Sequence, residues 1–211
     1  MANNKSVRTR TGKTVMLVET AMLTAIVVVM SFTPLGYLRI GGLELTLIMV
    51  PVIIGAVTQG PAVAAFLGGI FGLTSFAQCF MGSALGTILV SISIPRAFVV
   101  CVIPRILAGL FCGLLFSACR KRDPRGTWSF AVAGISGSLF NTAFFLGLLA
   151  LLFWNVQFSA EQAASLGGVD TVLKTVIGIA AGINAPIELL VCAILGSAVG
   201  KGLSVALKRL H

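Results

Sequence analysis

The stretch "GINAPIELLV", residues 182–191, sets a carboxamide, a proline and a carboxylate inside an otherwise apolar run. Glu188 lies 14 residues after Lys174 and 13 before Lys201, which puts it near the middle of an apolar helix. Asn184 is one turn away on the same face. Pro186 has no N–H and frees the carbonyl of Gly182. Burying a charge at mid-membrane costs at least about 2.5–3.5 kcal/mol, so an acid there marks a ligand or ion path, or else an interhelical hydrogen bond. A second polar group sits in "GSLFNTAFF", where Asn141 and Thr142 offer donors and acceptors at the same depth. Asn141 stands as a ligand contact or as a partner for Glu188.

Three arginines add a different chemistry. Arg105 in "VIPRILAG", Arg96 in "SIPRAF" and Arg39 in "PLGYLRIGG", beside Tyr37, all fall away from the clusters of basic residues. A guanidinium fork binds carboxylate or phosphate well. Arg105 is equally able to cap a helix or to pair with Glu188 or Glu44. Glu19 is expected to snorkel to an interface. Gln78 and Ser75 are weaker candidates.

Catalytic equipment is scarce. The one histidine is His211, and no HExxH, carboxylate cluster or metal-ligand spacing occurs. "TGKT" at 11–14 lacks the glycine a phosphate loop needs, since position 7 is Val7. The five cysteines form no CxxC and read as small buried hydrophobes. No enzyme activity, metal or cofactor is expected.

The elements that position these groups are membrane helices. The chain is 57% hydrophobic and 10% charged, against about 25% charged in soluble domains. The expected class is an all-α integral membrane protein, one transmembrane domain over 1–211. Six stretches approach the roughly 20 apolar residues a span needs: 15–33, 44–59, 61–79, 101–119, 128–154 and 171–200. The basic N-terminus 1–14 precedes the first span, which reads as a retained helix rather than a cleaved leader. The segment 80–100 is expected as a long, partly helical connection.

Basic residues cluster at Lys5–Lys13, at Arg120–Arg125 and at Lys201–Arg209. With six spans all three clusters share one side, and the positive-inside rule makes it cytoplasmic, with both termini there. The net charge of +9 is thereby assigned to topology and anionic lipid, not to nucleic acid. Trp128 and Trp154 bracket the fifth span about 39 Å apart at 1.5 Å per residue, which fits two interfacial belts. Small residues repeat at four-residue spacing in Ala21/Ala25, Gly68/Gly72, Gly109/Gly113, Gly178/Gly182 and Gly196/Gly200. Such pairs let helices approach closely, inside the bundle or against another membrane protein.

Four stretches in order carry a family resemblance: "VPVIIGAVTQGPAVAAFLGGIFGLTSF" (50–76), "PRILAGL" (104–110), "GSLFNTAFFLG" (137–147) and "NAPIELL" (184–190). Together they resemble the substrate-binding S components of energy-coupling factor (ECF) vitamin transporters, and most of all the pantothenate-type members. The resemblance implies six helices in a bacterial cell membrane and a vitamin bound near the external face. It also implies docking on a transmembrane coupling subunit that carries two ATPase subunits. The family's AxxxA docking motif is matched by Ala21 and Ala25. Pantothenate, with its carboxylate, hydroxyls and amide, would suit Asn141, Asn184, Glu188, Arg105, Thr142, Arg96 and Tyr37. Folate, hydroxymethylpyrimidine or a similar compound is the alternative substrate, and a stand-alone proton-coupled carrier using Glu188 is the alternative mechanism.

Overall fold

The computed structural model describes residues 3–33, 36–40, 43–81, 83–123, 128–154 and 156, with residues 190, 192, 194, 198 and 202 as isolated helical positions. Asn184, Glu188 and most of the expected sixth span lie outside the described residues. So do the glycine pairs Gly178/Gly182 and Gly196/Gly200.

The elements in order are α1 (Asn3–Ser31), β1 (Tyr37–Ile40), β2 (Leu43–Thr46), α2 (Met49–Thr58), α3 (Pro61–Gln78), α4 (Ala84–Ile92), α5 (Ile94–Arg122) and α6 (Ser129–Phe153). Among the described residues, four stretches are long and apolar enough to cross a membrane: Lys13–Ser31 of α1, Pro61–Gln78, Ile94–Arg122 and Ser129–Phe153. The helical membrane class therefore holds, with two local departures from the expected spans.

The first departure is at 44–59. Its leading residues form β2, paired antiparallel to β1 with Tyr37 opposite Thr46 and Ile40 opposite Leu43. The remainder of the stretch is only the short helix α2. Ten residues rise about 15 Å, half a hydrocarbon core. α2 is buried along most of its length, including Met49, Val52, Ile53, Ile54 and Ala56. It is a core helix walled by its neighbours.

The second departure is at 80–100. That segment holds α4 and the start of α5, which begins at Ile94 rather than near 101. Ser83 caps α4 by accepting from the Gly86 N–H at 3.4 Å. Ser93 is extended, and Pro95 falls in the first turn of α5. Proline there forfeits no helical hydrogen bond, so it opens a helix where it would break one further along.

The centre of the bundle is the antiparallel pair α3 and α5, and glycine makes it possible. A Cβ on Gly68 would overlap the Arg105 carbonyl, and one on Gly109 would overlap the Ala64 carbonyl. At Gly72 it would come within 2.7 Å of the Val102 Cα. Gly68/Gly72 and Gly109/Gly113 thus face each other inside the bundle. Gly137 of α6 closes on Ile53 and Cys112 in the same way. The main core lies between these helices and α2, around Ile53, Leu67, Ala108, Cys112 and Ala133.

The α5–α6 turn is held by Asp123. Its carboxylate accepts from the backbone N–H of Trp128 at 3.0 Å and of Ser129 at 3.1 Å, satisfying the start of α6. Arg120 beside it donates to the Asp123 carbonyl and lies over the Phe130 ring. The Lys13 end of α1 and the Arg120–Arg122 end of α5 fall at one end of the bundle, because the α2–α3 junction touches both: Gln59 bonds to Glu19, and Pro61 packs on Gly113. At the opposite end of the bundle α3 finishes and α5 begins.

Candidate functional site

Pro104 lies inside α5. It has no N–H to give to the Val100 carbonyl four residues back. The next side chain answers that deficit: Arg105 Nη1 donates to the Val100 carbonyl at 2.9 Å. Phe145 of α6 and Phe71 of α3 hold the guanidinium, with its carbon 4.5 Å and 5.5 Å from the two ring centroids. Aromatic faces attract a cation, and more so when both are desolvated. Arg105 is only 9% exposed, and its Nε has no hydrogen-bond partner among the described residues.

Asn141 sits on α6 one turn before Phe145. Gly137, Asn141 and Phe145 repeat at four-residue spacing and share a face. Gly137 lies against Cys112, and Phe145 lies against Arg105. The antiparallel register therefore sets Asn141 toward α5 at about the level of Ala108, one turn inward of Arg105. It is 7% exposed, and its Oδ1 has no partner among the described residues. A buried donor edge and a buried acceptor are thus left open on neighbouring turns of two facing helices. Most buried polar side chains are paired, so two such atoms in one place call for an explanation.

Other residues singled out by sequence have different surroundings. Thr142 is half-buried beside Asn141. Arg96 is exposed at the start of α5, and its Nη1 donates to the Leu152 carbonyl at 3.5 Å. A cation suits that carbonyl-rich helix end. Tyr37 and Arg39 are placed by backbone in β1, with Arg39 in register with Glu44 of β2. Gln78 donates its amide to the Ser31 carbonyl, and Ser31 and Thr74 share a hydroxyl hydrogen bond of 2.9 Å. These groups clip the C-terminal end of α1 to that of α3. Glu19 does more than snorkel: it accepts from Gln59 Nε2 at 3.2 Å, while Thr20 donates to Gln59 Oε1 at 2.7 Å. Ala21 and Ala25 are exposed on α1, on a surface with Leu17, Val18, Met22 and Ile26.

Sequence reasoning found Arg105 and Asn141 but not the aromatic clamp. Phe71 and Phe145 are unremarkable in an apolar run, and only the fold brings them together. The adjacency Pro104-Arg105 was the readable signal, because a proline in a helix announces a free carbonyl nearby.

The fold is a polytopic helical bundle with buried, open hydrogen-bonding groups between its helices. The chain matches the family model described as ECF transporter, substrate-specific component, over residues 15–199, and it belongs to that family. A search among curated proteins gives no match. The protein is accordingly a substrate-binding subunit of an ECF transporter, a multi-pass membrane protein rather than an enzyme.

Proposed function

We propose that this S component captures a vitamin of pantothenate type from the outer side of the membrane, with Arg105 and Asn141 at the centre of the site. The observation that supports this most is the pair of buried, unpartnered atoms, Arg105 Nε and Asn141 Oδ1. An unmade hydrogen bond in a dry interior costs about 1–3 kcal/mol. A ligand that accepts from the arginine and donates to the asparagine removes both costs on binding. Pantothenate carries a carboxylate for the first and hydroxyl and amide donors for the second. Thr142, Asn184, Glu188, Tyr37 and Arg96 complete the proposed set, with Arg96 at its rim.

Transport then needs energy from elsewhere. A transmembrane coupling subunit, itself carrying two ATPase subunits, is proposed to dock on α1 at Ala21 and Ala25, whose exposed small side chains leave room for another helix. Both termini are proposed to be cytoplasmic, on the ground that two of the three basic clusters lie at one end of the bundle.

Native mass spectrometry of the gently purified subunit tests the ligand. A co-purified mass equal to pantothenate, displaced by added pantothenate, is the expected result. A co-purified heteroaromatic vitamin, or saturable binding of folate or hydroxymethylpyrimidine without binding of pantothenate, would replace the substrate while leaving the family intact. Uptake by the subunit alone, driven by a proton gradient, would replace the mechanism.

A further inference from the structure

Cys79 closes α3 at its outer end, and Cys101 lies in α5 one turn before Arg105. A helical Cα–Cβ bond leans toward the N-terminus of its own helix. α3 and α5 are antiparallel, so the Cys79 side chain leans inward and that of Cys101 leans outward, and the two converge. Their sulfurs stand 3.6 Å apart. Both residues are buried, at 5% and 3% exposure. α4 covers Cys79. Gly86 of α4 lies directly on Cys79, where a Cβ would come within 2.7 Å of the Cys79 sulfur. Thr87 donates to the Cys79 carbonyl at 3.2 Å. Neither sulfur is needed by the proposed solute site.

We propose that Cys79 and Cys101 form an oxidative modification site, a disulfide that staples the outer end of α3 to α5 beneath α4. A disulfide needs sulfurs about 2.05 Å apart, so the pair must close by about 1.5 Å. Cys79 is the residue that moves: it is the cap of α3, and the chain turns away immediately after it. The oxidant is hydrogen peroxide, small and neutral enough to reach a buried pair. One thiol releases its proton, the thiolate attacks a peroxide oxygen, the O–O bond breaks, and the departing hydroxide takes up that proton, leaving a sulfenic acid and one water. The second sulfur then attacks the sulfenic sulfur, and the departing hydroxyl takes up the remaining thiol proton as a second water. In sum, two thiols and one peroxide give a disulfide and two waters. The basic clusters assign this end to the exterior, which lacks the thiol pools that keep cytosolic cysteines reduced. The two cysteines are 22 positions apart and enclose the whole of α4. The bond therefore makes a closed ring of the segment that carries α4, whose Ile88 and Leu89 pack in one cluster with Val100 and Phe153.

The test uses the full chain in membrane vesicles, treated with hydrogen peroxide, then alkylated and digested without reductant. The expected product is a peptide joining Cys79 to Cys101, with Cys112, Cys119 and Cys192 alkylated, and it disappears on reduction. Cys79→Ser and Cys101→Ser should each abolish it. Amide exchange in Ala84–Ile92 should slow in the oxidised protein and not in either serine variant. Recovery of both thiols in reduced form, or joining of Cys79 to a different cysteine, overturns the assignment. A joined pair with unchanged exchange in α4 overturns the staple.

Discussion

Arg105 has two jobs in this structure, and they can be separated by changing its neighbour. The side chain satisfies the Val100 carbonyl that Pro104 leaves open, and it presents a free Nε edge. Arg105→Ala removes both. Its cost to folding is an unpaired buried carbonyl, about 1–3 kcal/mol, together with the two cation–ring contacts, each about 0.5–2 kcal/mol. Its cost to binding is a charge-assisted hydrogen bond of about 1.5–3 kcal/mol, a loss of roughly tenfold to a hundredfold in Kd at 1.4 kcal/mol per decade. Adding Pro104→Ala restores an N–H at position 104, which reaches the Val100 carbonyl in the ordinary i to i−4 manner. The double variant should therefore recover the carbonyl part of the lost thermal stability and none of the lost affinity. Thermal unfolding in detergent reads the first quantity, and equilibrium binding of labelled pantothenate reads the second. Recovery of affinity in the double variant would show that Arg105 acts on the solute only through the backbone of α5. Parent affinity in Arg105→Ala alone would remove it from the site.

Asn141→Ala takes away the other open atom and should weaken binding by about tenfold while leaving the unfolding temperature near that of the parent, because its Oδ1 has no partner among the described residues; unchanged affinity in titration calorimetry would move the pocket elsewhere. Gly109→Leu drives a side chain into the Ala64 carbonyl and should cost well over 1 kcal/mol, seen as loss of monodisperse protein in size-exclusion chromatography; a normally folded variant would mean that α3 and α5 can part. Ala21→Trp with Ala25→Trp should abolish uptake and co-purification with the coupling subunit while solute binding by the isolated subunit persists; a well-folded variant that still co-purifies would place docking on another face.

The helical class, the long spans and the glycine pairs were legible because each rests on local composition. Twenty apolar residues in lipid have no option but helix, and Gly68/Gly72 and Gly109/Gly113 announce close packing at any depth. The hairpin Tyr37–Thr46 was not legible in the same way. Leu43, Leu45 and Leu47 are apolar enough to extend a hydropathy window, so strand and helix merged into one apparent span at 44–59. Arg105 and Asn141 stood out because lipid gives no reason for them. Their burial and open atoms depend on tertiary register, and so do the rings beside the guanidinium and the two sulfurs.

The contrast between α5 and α1 bears on how such a subunit works. α5 meets α3 through backbone contacts that no rotamer change can relax, so the wall carrying Arg105 is rigid by construction. α1 is attached differently. Between Lys13 and Ser31 its buried positions are Leu23, Val27 and Ser31, a stripe one side chain wide. Two polar clips secure its ends: Glu19 and Thr20 on Gln59 at one end, and Ser31 on Thr74 and Gln78 at the other. In hydrocarbon such hydrogen bonds are directional and few, and each contributes on the order of 1 kcal/mol. α1, with Ala21 and Ala25 exposed, is thus held to the bundle less tightly than α5, whose close contacts with α3 are backbone to backbone. A partner docked on α1 as proposed would pull on the subunit without first dismantling the wall that carries Arg105. The clip at Ser31 is where such a pull would reach it, since Thr74 is one turn from Phe71, and Phe71 lies against the Arg105 guanidinium.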